Sequence, residues 1–165
     1  ATIQLNYRLP DILVSDSTNL ILFKGENGPP IVNTFVRDRF DRTRWQEMYG
    51  VEGFSRLTDA VKDPTLSISC DALGCVWKKR GLKIAYSMHT LSHSQDCQRA
   101  DILIAQSPLG PNCPGPRVAL DWFDFWRMGA HALYFNENGD VEVRSVNGVR
   151  GQRPWVPARA HKRGD

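Results

Sequence analysis

The sequence predicts an α/β or α+β domain whose helices and strands form layers around a mixed sheet. Short apolar segments of strand length alternate with helical patterns after residue 66, which is typical of such layered folds. Hydrophobic residues make up 41% of the 165 residues and charged residues 24%, as in ordinary globular domains. No repeat and no long linker divides the chain. We therefore expect one domain over residues 1–149, followed by a basic tail over residues 150–165.

The first elements form a small β-meander. Two apolar segments, 12–14 and 20–23, lie on either side of the polar turn 15–19 and predict two buried strands. A Gly/Pro-rich turn at 25–30 then leads to a third short strand at 31–32. The longest apolar run is far shorter than the roughly 20 residues that cross a bilayer, and no secretory leader is visible. Because the chain begins with Ala1 and not Met, we expect a fragment of a longer protein.

The pattern becomes helical at residue 34. Val36 and Phe40 are four residues apart and begin an apolar stripe that predicts a helix over 34–49, ended by Gly50. Charges of both signs on its other face indicate a face exposed to solvent. A second, shorter helix is expected over 54–62.

The later elements alternate between strands and helices. Strands are predicted at 66–69, 76–77, 82–86, 102–105, 118–120, 131–135 and 141–146, and helices at 92–99 and 121–128. The strands at 76–77 and 82–86 form a hairpin that turns at 79–81. The second helix carries four aromatic residues within five positions, which favours core packing but leaves a partner surface as an alternative.

The four cysteines allow three disulfide pairings, of which local pairing is geometrically the simplest. It joins Cys70 to Cys75 and Cys97 to Cys113, and it would indicate an oxidising compartment. Two alternatives remain open: four reduced thiols, or a zinc site that combines these cysteines with His93, one helical turn before Cys97.

No motif indicates an enzyme. The chain contains no GxSxG, GxGxxG or P-loop sequence, and no two of its four histidines are separated by a single residue. His131, between two alanines at the start of a predicted strand, is interpreted as a structural histidine. We predict no catalytic residue, no bound metal and no cofactor.

Positive charge is concentrated in two places. The formal net charge is +3, but residues 150–165 contribute +4, so residues 1–149 sum to −1. The predicted hairpin adds a cluster of cations beside a tryptophan, an arrangement that can hold single-stranded nucleic acid by phosphate contacts and base stacking. A hairpin tip simply exposed to solvent is the alternative. The candidate nucleic-acid contacts are Trp77, Lys78, Lys79, Arg80, Lys83, Arg150 and Arg153, with Trp155 as a further candidate for stacking.

Several motifs, in this order, give the chain a resemblance to a known family. They include CDALGC at 70–75, ADILI at 100–104, LDWFDFWR at 120–127, GAHALY at 129–134 and RGQRPWV at 150–156. Together with PDILV at 10–14, they extend over nearly the whole chain. The chain resembles the C-terminal region of the ComEC family, the channel proteins of natural DNA uptake.

The resemblance implies a degenerate metallo-β-lactamase-like fold, an αββα sandwich. Members with an intact site hold two metal ions through an HxHxDH cluster, whereas Ala105-Gln106-Ser107-Pro108 here follows a predicted strand without any histidine. The expected function is therefore a non-catalytic domain that supports uptake of single-stranded DNA in transformation. Its expected partners are single-stranded DNA, the membrane-embedded channel part of the same parent chain and other DNA-uptake proteins. The parent would lie in the inner membrane, with this domain in the periplasm. The alternatives are a zinc-dependent hydrolase with an unconventional Cys/His site, and a structural domain that docks a partner through its aromatic helix.

Overall fold

The computed structural model describes residues 7–36 and 38–151. The strands are β1 Ile12–Val14, β2 Ile21–Phe23, β3 Ile31–Val32, β4 Ser55–Arg56, β5 Ile68–Cys70, β6 Gly74–Lys79, β7 Leu82–Ser87, β8 Ile102–Ala105, β9 Val118–Leu120, β10 His131–Phe135 and β11 Val141–Ser145. The α-helices are α1 Arg39–Tyr49, α2 Leu57–Ala60, α3 His93–Arg99, α4 Trp122–Met128 and α5 Val146–Arg150. Two short 3₁₀ helices occupy Pro64–Leu66 and Thr90–Ser92.

The strands form two mixed sheets. The first sheet has the order β11-β10-β1-β2-β3-β4 and is antiparallel except between β3 and β4. The second has the order β5-β6-β7-β8-β9; β5, β6 and β7 are antiparallel, and β8 and β9 run parallel to β7. Parallel strands need crossover connections. Helix α1 lies between the parallel strands β3 and β4, α3 lies between β7 and β8, and the segment between β8 and β9 contains no helix.

The main core lies between the two sheets. Each strand turns alternate side chains inward, so Ile12 and Phe23 of the first sheet share one apolar cluster with Trp77, Ile84 and Ile102 of the second. Helix α4 adds Phe125, which is fully buried.

The outer face of each sheet is covered by a helix. Trp45 of α1 packs with Leu13 and Leu22 on the outer face of the first sheet. On the second sheet, Cys97 of α3 packs with Leu103 in a separate cluster. The layers are therefore helix, sheet, sheet and helix, and the predicted α+β sandwich with mixed sheets is confirmed.

Helix α1 begins five residues later than predicted, at Arg39. Asp38 adopts a left-handed conformation with φ 52°, and its carboxylate accepts a hydrogen bond from the Ser17 hydroxyl at 2.8 Å. The predicted apolar stripe at the start of this helix is wrong, because Val36 and Phe40 are 91% and 72% exposed. The helix is anchored further on, by Trp45.

Smaller differences occur at three other places. The strand predicted at 66–69 is shifted to β5, because Pro64 favours a 3₁₀ turn in which Asp63 accepts the backbone N–H of Thr65 at 2.9 Å. The helix predicted at 54–62 is limited to α2, since the residues before it pair as β4 with β3. The last predicted strand ends at Ser145, whose hydroxyl caps α5, a helix that the sequence did not predict.

The local disulfide pairing is confirmed. Cys70 is bonded to Cys75 and Cys97 to Cys113. Disulfides form and persist in oxidising compartments, so both bonds fit a location outside the cytoplasm. Within the described ranges, no helix has the length and apolar character needed to cross a membrane. Apart from Arg150 and Gly151, the predicted tail lies outside the described residues.

Candidate nucleic-acid interface

The predicted cationic hairpin is formed by β6 and β7. Its turn is tighter than expected, because Lys79 and Leu82 still pair across the strands and only Arg80 and Gly81 remain in the loop. Both loop residues have positive φ, 49° and 74°, as a two-residue type I′ turn requires. Glycine adopts this conformation readily, whereas Arg80 does so at some conformational cost.

Trp77 lies in the core and not on the surface of the hairpin. Its side chain is 4% exposed and contacts Phe23 edge-to-face, with 5.1 Å between the ring centroids. Phe135 lies on another side at 6.3 Å. A buried ring has no free face for a nucleic-acid base, so the predicted stacking role does not fit this position.

Lys79 is also turned inward. Its Nζ lies 3.1 Å from Asp11 Oδ1, and both side chains are almost fully buried. The other carboxylate oxygen of Asp11 accepts the backbone N–H of Phe135 at 2.8 Å. Burial lowers the pKa of Lys79, and the contact with Asp11 opposes this shift. Lys79 therefore joins the two sheets and is not available as a phosphate contact.

Lys78 and Lys83 point to the outer face of the second sheet, where they form a directly opposed pair. They are register partners across β6 and β7, a position in which side chains of like charge repel each other. Asp101 lies next to Lys83 along the same edge of the sheet, and its Oδ2 accepts the Lys83 backbone N–H at 2.8 Å. Arg117 follows on the other side of Asp101, and its backbone N–H donates to the Asp101 carbonyl at 2.8 Å.

Further cations lie at the same end of this sheet. Arg80 occupies the hairpin turn and donates one N–H to the Phe135 carbonyl at 2.9 Å, and Arg99 is the last residue of α3, two positions before Asp101. We call the cations at this end the basic rim: Lys78, Arg80, Lys83, Arg99 and Arg117. Lys83 is half-buried and the other four are exposed. An anion bridging the opposed lysines would relieve their repulsion.

The charge pattern of the sequence does not single out Arg99 and Arg117. They come shortly before β8 and β9, which run parallel to β7. The amino ends of neighbouring parallel strands lie at one edge of a sheet, so this topology brings both arginines to the hairpin. The only sequence signal is the position of each arginine just before an apolar segment.

A cavity of about 450 Å³ adjoins the hairpin. Its lining includes Lys78 and Arg80, but also Glu26 and Asp63. The two carboxylates offset the charges of Lys78 and Arg80, so this cavity is less suited to phosphate than the rim as a whole.

The remaining predicted contacts are not brought to the rim. Arg150 is exposed in α5, which follows Ser145, the register partner of His131 at the start of β10. Arg80 contacts Phe135, at the other end of β10, about 14 Å away at 3.4 Å per residue. Arg153 and Trp155 lie outside the described residues.

The opposite end of the sandwich is filled by uncharged polar groups. The Tyr86 hydroxyl donates to the Thr18 carbonyl at 2.9 Å and accepts from Gln106 Nε2 at 2.6 Å. Burial raises the pKa of Tyr86 to about 12, so the phenol remains protonated at neutral pH. Gln106 follows β8 within the segment where the resemblance would place metal ligands. Its amide is instead bonded to neighbouring protein groups.

The residues at this end do not fit a two-metal centre. Gln106, Tyr86 and Thr18 present an amide, a phenol and a carbonyl that bond to one another, whereas such centres use histidine and carboxylate donors. Over residues 7–36 and 38–151, no group of three or more His, Cys, Asp or Glu side chains is arranged to hold a metal ion. The zinc alternative built on cysteines lacks its thiolates, because all four sulfurs are paired.

Comparison with known proteins adds no relative. No family model matches the chain, and no curated protein or solved structure matches it either.

Proposed function

We propose that this chain is a non-catalytic domain of a ComEC-type channel that guides a DNA strand by contacts to its phosphates. The observation that carries the proposal is the basic rim, in which Lys78 and Lys83 oppose each other directly. Two lysines held side by side reduce folding stability unless an anion binds between them. A phosphate group has the charge and the acceptor oxygens for this position.

The opposite end of the sandwich supports the absence of catalysis. Its hydrogen-bonded Tyr86, Gln106 and Thr18 supply neither a set of metal ligands nor a nucleophile paired with a base. Among the described residues, Ser107 Oγ and His93 Nε2 lie 3.3 Å apart and resemble such a pair. Over residues 7–36 and 38–151, no hydrogen bond orients the His93 ring from Nδ1, as a catalytic base requires.

The two disulfides and the resemblance support a place on the periplasmic side of an inner-membrane parent protein. In that setting the domain would meet a strand that enters the channel, and its partners would be the channel part of the same chain and other uptake proteins. Bridged cysteines need an oxidising compartment, which the periplasm provides.

The rim predicts a specific mode of binding. It contains cations but no aromatic side chain, and Trp77 is buried. Affinity should therefore depend on phosphates and salt, and not on base stacking. An oligonucleotide that contains abasic sites should bind about as tightly as one with all its bases.

The test measures binding of a fluorescent oligothymidylate of about 20 nucleotides between 25 and 200 mM salt. We expect the double variant Lys78→Gln/Lys83→Gln to weaken binding at least tenfold at low salt. The slope of log K against log salt should become shallower by about 1.4, at about 0.7 for each lost contact to a single strand. The matched control is Arg39→Gln/Arg44→Gln, which removes the same charge from exposed positions on α1, on the far side of the first sheet.

Two results would contradict the proposal. One is no binding by the unmodified protein at 25 mM salt. The other is an equal loss of affinity in both double variants, because net charge alone would then explain the effect.

A structural docking role is the second candidate, and the exposed side of α4 favours it. Trp122 is 40% exposed and stacks on Trp126, with 6.1 Å between the ring centroids. Met128 and Val146 are exposed nearby, at 38% and 37%. Phe125 holds the other side of this helix in the core. If no DNA binding is found, we expect Trp122→Ala to impair DNA uptake by the parent while leaving the fold of this domain intact.

A further inference from the structure

The two disulfides differ in their access to solvent. Cys70 is exposed, and its partner Cys75 is 4% exposed and faces the core between the sheets. Cys97 is 6% exposed and packs with Leu103, and its partner Cys113 is half-buried against the same cluster. A soluble thiol can therefore approach the first bond from the Cys70 side, whereas the second lies within an apolar cluster.

The loop between Cys70 and Cys75 is held in place without the disulfide. Asp71 Oδ1 accepts the backbone N–H groups of Leu73 at 2.7 Å and Gly74 at 3.0 Å. The Leu73 carbonyl in turn accepts the backbone N–H of Met88 at 2.8 Å. These bonds fasten the loop to the end of β7. The hairpin formed by β5 and β6 should therefore keep its shape when the bond between Cys70 and Cys75 opens.

A small cavity of about 130 Å³ lies beside this disulfide. Both cysteines line it, together with Asp71, Gln95 and Asp96. The volume suits a small thiol, and the two carboxylates give the cavity negative charge. They attract a cationic thiol and repel an anionic one.

We propose that Cys70–Cys75 is a thiol–disulfide exchange site that selects small cationic or neutral thiols over anionic thiols. The thiolate of the reagent attacks Cys70 Sγ, a mixed disulfide forms, and Cys75 leaves as a thiolate that takes a proton from water. A second reagent thiolate attacks the reagent sulfur of the mixed disulfide and releases Cys70. The disulfide gains two electrons, and two reagent thiols become one reagent disulfide.

The experiment compares 2-aminoethanethiol, which is cationic, with 2-mercaptoethanesulfonate, which is anionic, at equal thiolate concentrations. Free cysteines are trapped by alkylation at timed intervals and identified by peptide mass spectrometry. We expect Cys70 and Cys75 to be alkylated at least tenfold faster than Cys97 and Cys113. The aminothiol should react at least fivefold faster than the sulfonate at low salt, with the difference reduced at 0.5 M salt.

Variants test the origin of the selectivity. Asp96→Asn should bring the two rates closer together, whereas Asp59→Asn, at an exposed carboxylate in α2, should leave their ratio unchanged. Circular dichroism of Cys70→Ser/Cys75→Ser should match that of the unmodified protein, since the loop has its own hydrogen bonds. Simultaneous alkylation of all four cysteines, or equal rates for the two thiols at low salt, would overturn the proposal.

Discussion

The two ends of the sandwich differ in their buried polar groups, which are charged at one end and neutral at the other. At the hairpin end, a buried ion pair joins Asp11 to Lys79, and the cations of the basic rim lie at the same end of the second sheet. At the other end, Tyr86 and Gln106 fill the space between the sheets with uncharged groups that bond to one another. Burial acts on both ends alike, because it disfavours the charged form of any ionisable group.

The difference shows what allows a charge to stay inside this fold. Desolvation raises the pKa of Tyr86 and lowers that of His131, so both groups are neutral at pH 7. Desolvation also lowers the pKa of Lys79, but Asp11 lies opposite and opposes the shift. Among the described residues, the buried charges of Asp11 and Lys79 lie opposite each other, so each has a partner of opposite sign.

The largest effect on stability is expected for Lys79→Ala, which tests the role of the buried ion pair. The substitution leaves Asp11 buried without its main counter-charge, and breaking a buried pair on one side costs about 3–5 kcal/mol. We expect a loss of this size in the free energy of unfolding, measured by urea denaturation. The neighbouring Lys78→Ala, on the exposed face of the same strand, removes the repulsion from Lys83 and should therefore not lower stability.

The double variant Asp11→Asn/Lys79→Met sharpens this test, because it removes both charges and keeps most of the volume. We expect its free energy of unfolding to lie much closer to that of the unmodified protein than the value for Lys79→Ala does. A cost for Lys79→Ala close to that of Lys78→Ala would mean that the ion pair does not hold the hairpin to the first sheet.

At the end of the sandwich that holds Tyr86 and Gln106, the neutral end, Tyr86→Phe removes the hydroxyl that links Gln106 to Thr18. The Thr18 carbonyl and the Gln106 amide each lose a partner in the interior, at a cost of about 1–3 kcal/mol. Thermal and urea unfolding measure this loss. The control is Tyr7→Phe, at a ring that is 72% exposed, where we expect less than about 0.5 kcal/mol. If Tyr86→Phe has no greater effect than Tyr7→Phe, the network contributes nothing to stability.

His131 gives the neutral end a dependence on pH. Burial lowers its pKa below the ordinary value of 6.5, although its Nδ1–H donates to the Gly129 carbonyl at 2.8 Å. The unfolded chain therefore takes up a proton near pH 6.5 that the folded protein takes up only at lower pH. Stability is complete above pH 6.5 and falls below it, by at most about 1.4 kcal/mol per pH unit.

This loss is measured by urea unfolding between pH 7.5 and 5. His131→Gln should remove part of the slope, and His89→Gln, at an exposed histidine, should leave it unchanged. The same slope in the unmodified protein and in His131→Gln would show that other groups cause the acid sensitivity.

The sequence predicted those features that depend on neighbouring residues. The apolar runs at 12–14 and 102–105 and the turn after β6 follow from local patterns, and the confirmed disulfides join cysteines that are close in the chain. The local pattern predicts an exposed Lys79, because its partner, Asp11, lies 68 residues earlier. Arg117 reaches the hairpin end only through the pairing of β8 with β9, which no local pattern shows. Side-chain burial and the basic rim depend on which strands become neighbours, and no local pattern contains that information.

The smallest expected effect concerns the basic rim and has opposite signs for stability and binding. Lys83→Gln removes the repulsion between two directly opposed lysines, so the free protein should become more stable by roughly 0.2–1 kcal/mol at low salt. The same change should weaken binding of an oligothymidylate, because one phosphate contact is lost. Added salt should reduce the gain in stability, since it screens the repulsion. Lys62→Gln, at an exposed lysine that pairs with Asp59 at 3.7 Å, serves as the control and should not raise stability. If the basic rim serves only solubility, the Lys83→Gln protein should become more stable and bind the oligothymidylate as tightly as before. The two measurements together therefore distinguish a binding surface from a charged sheet edge without a ligand.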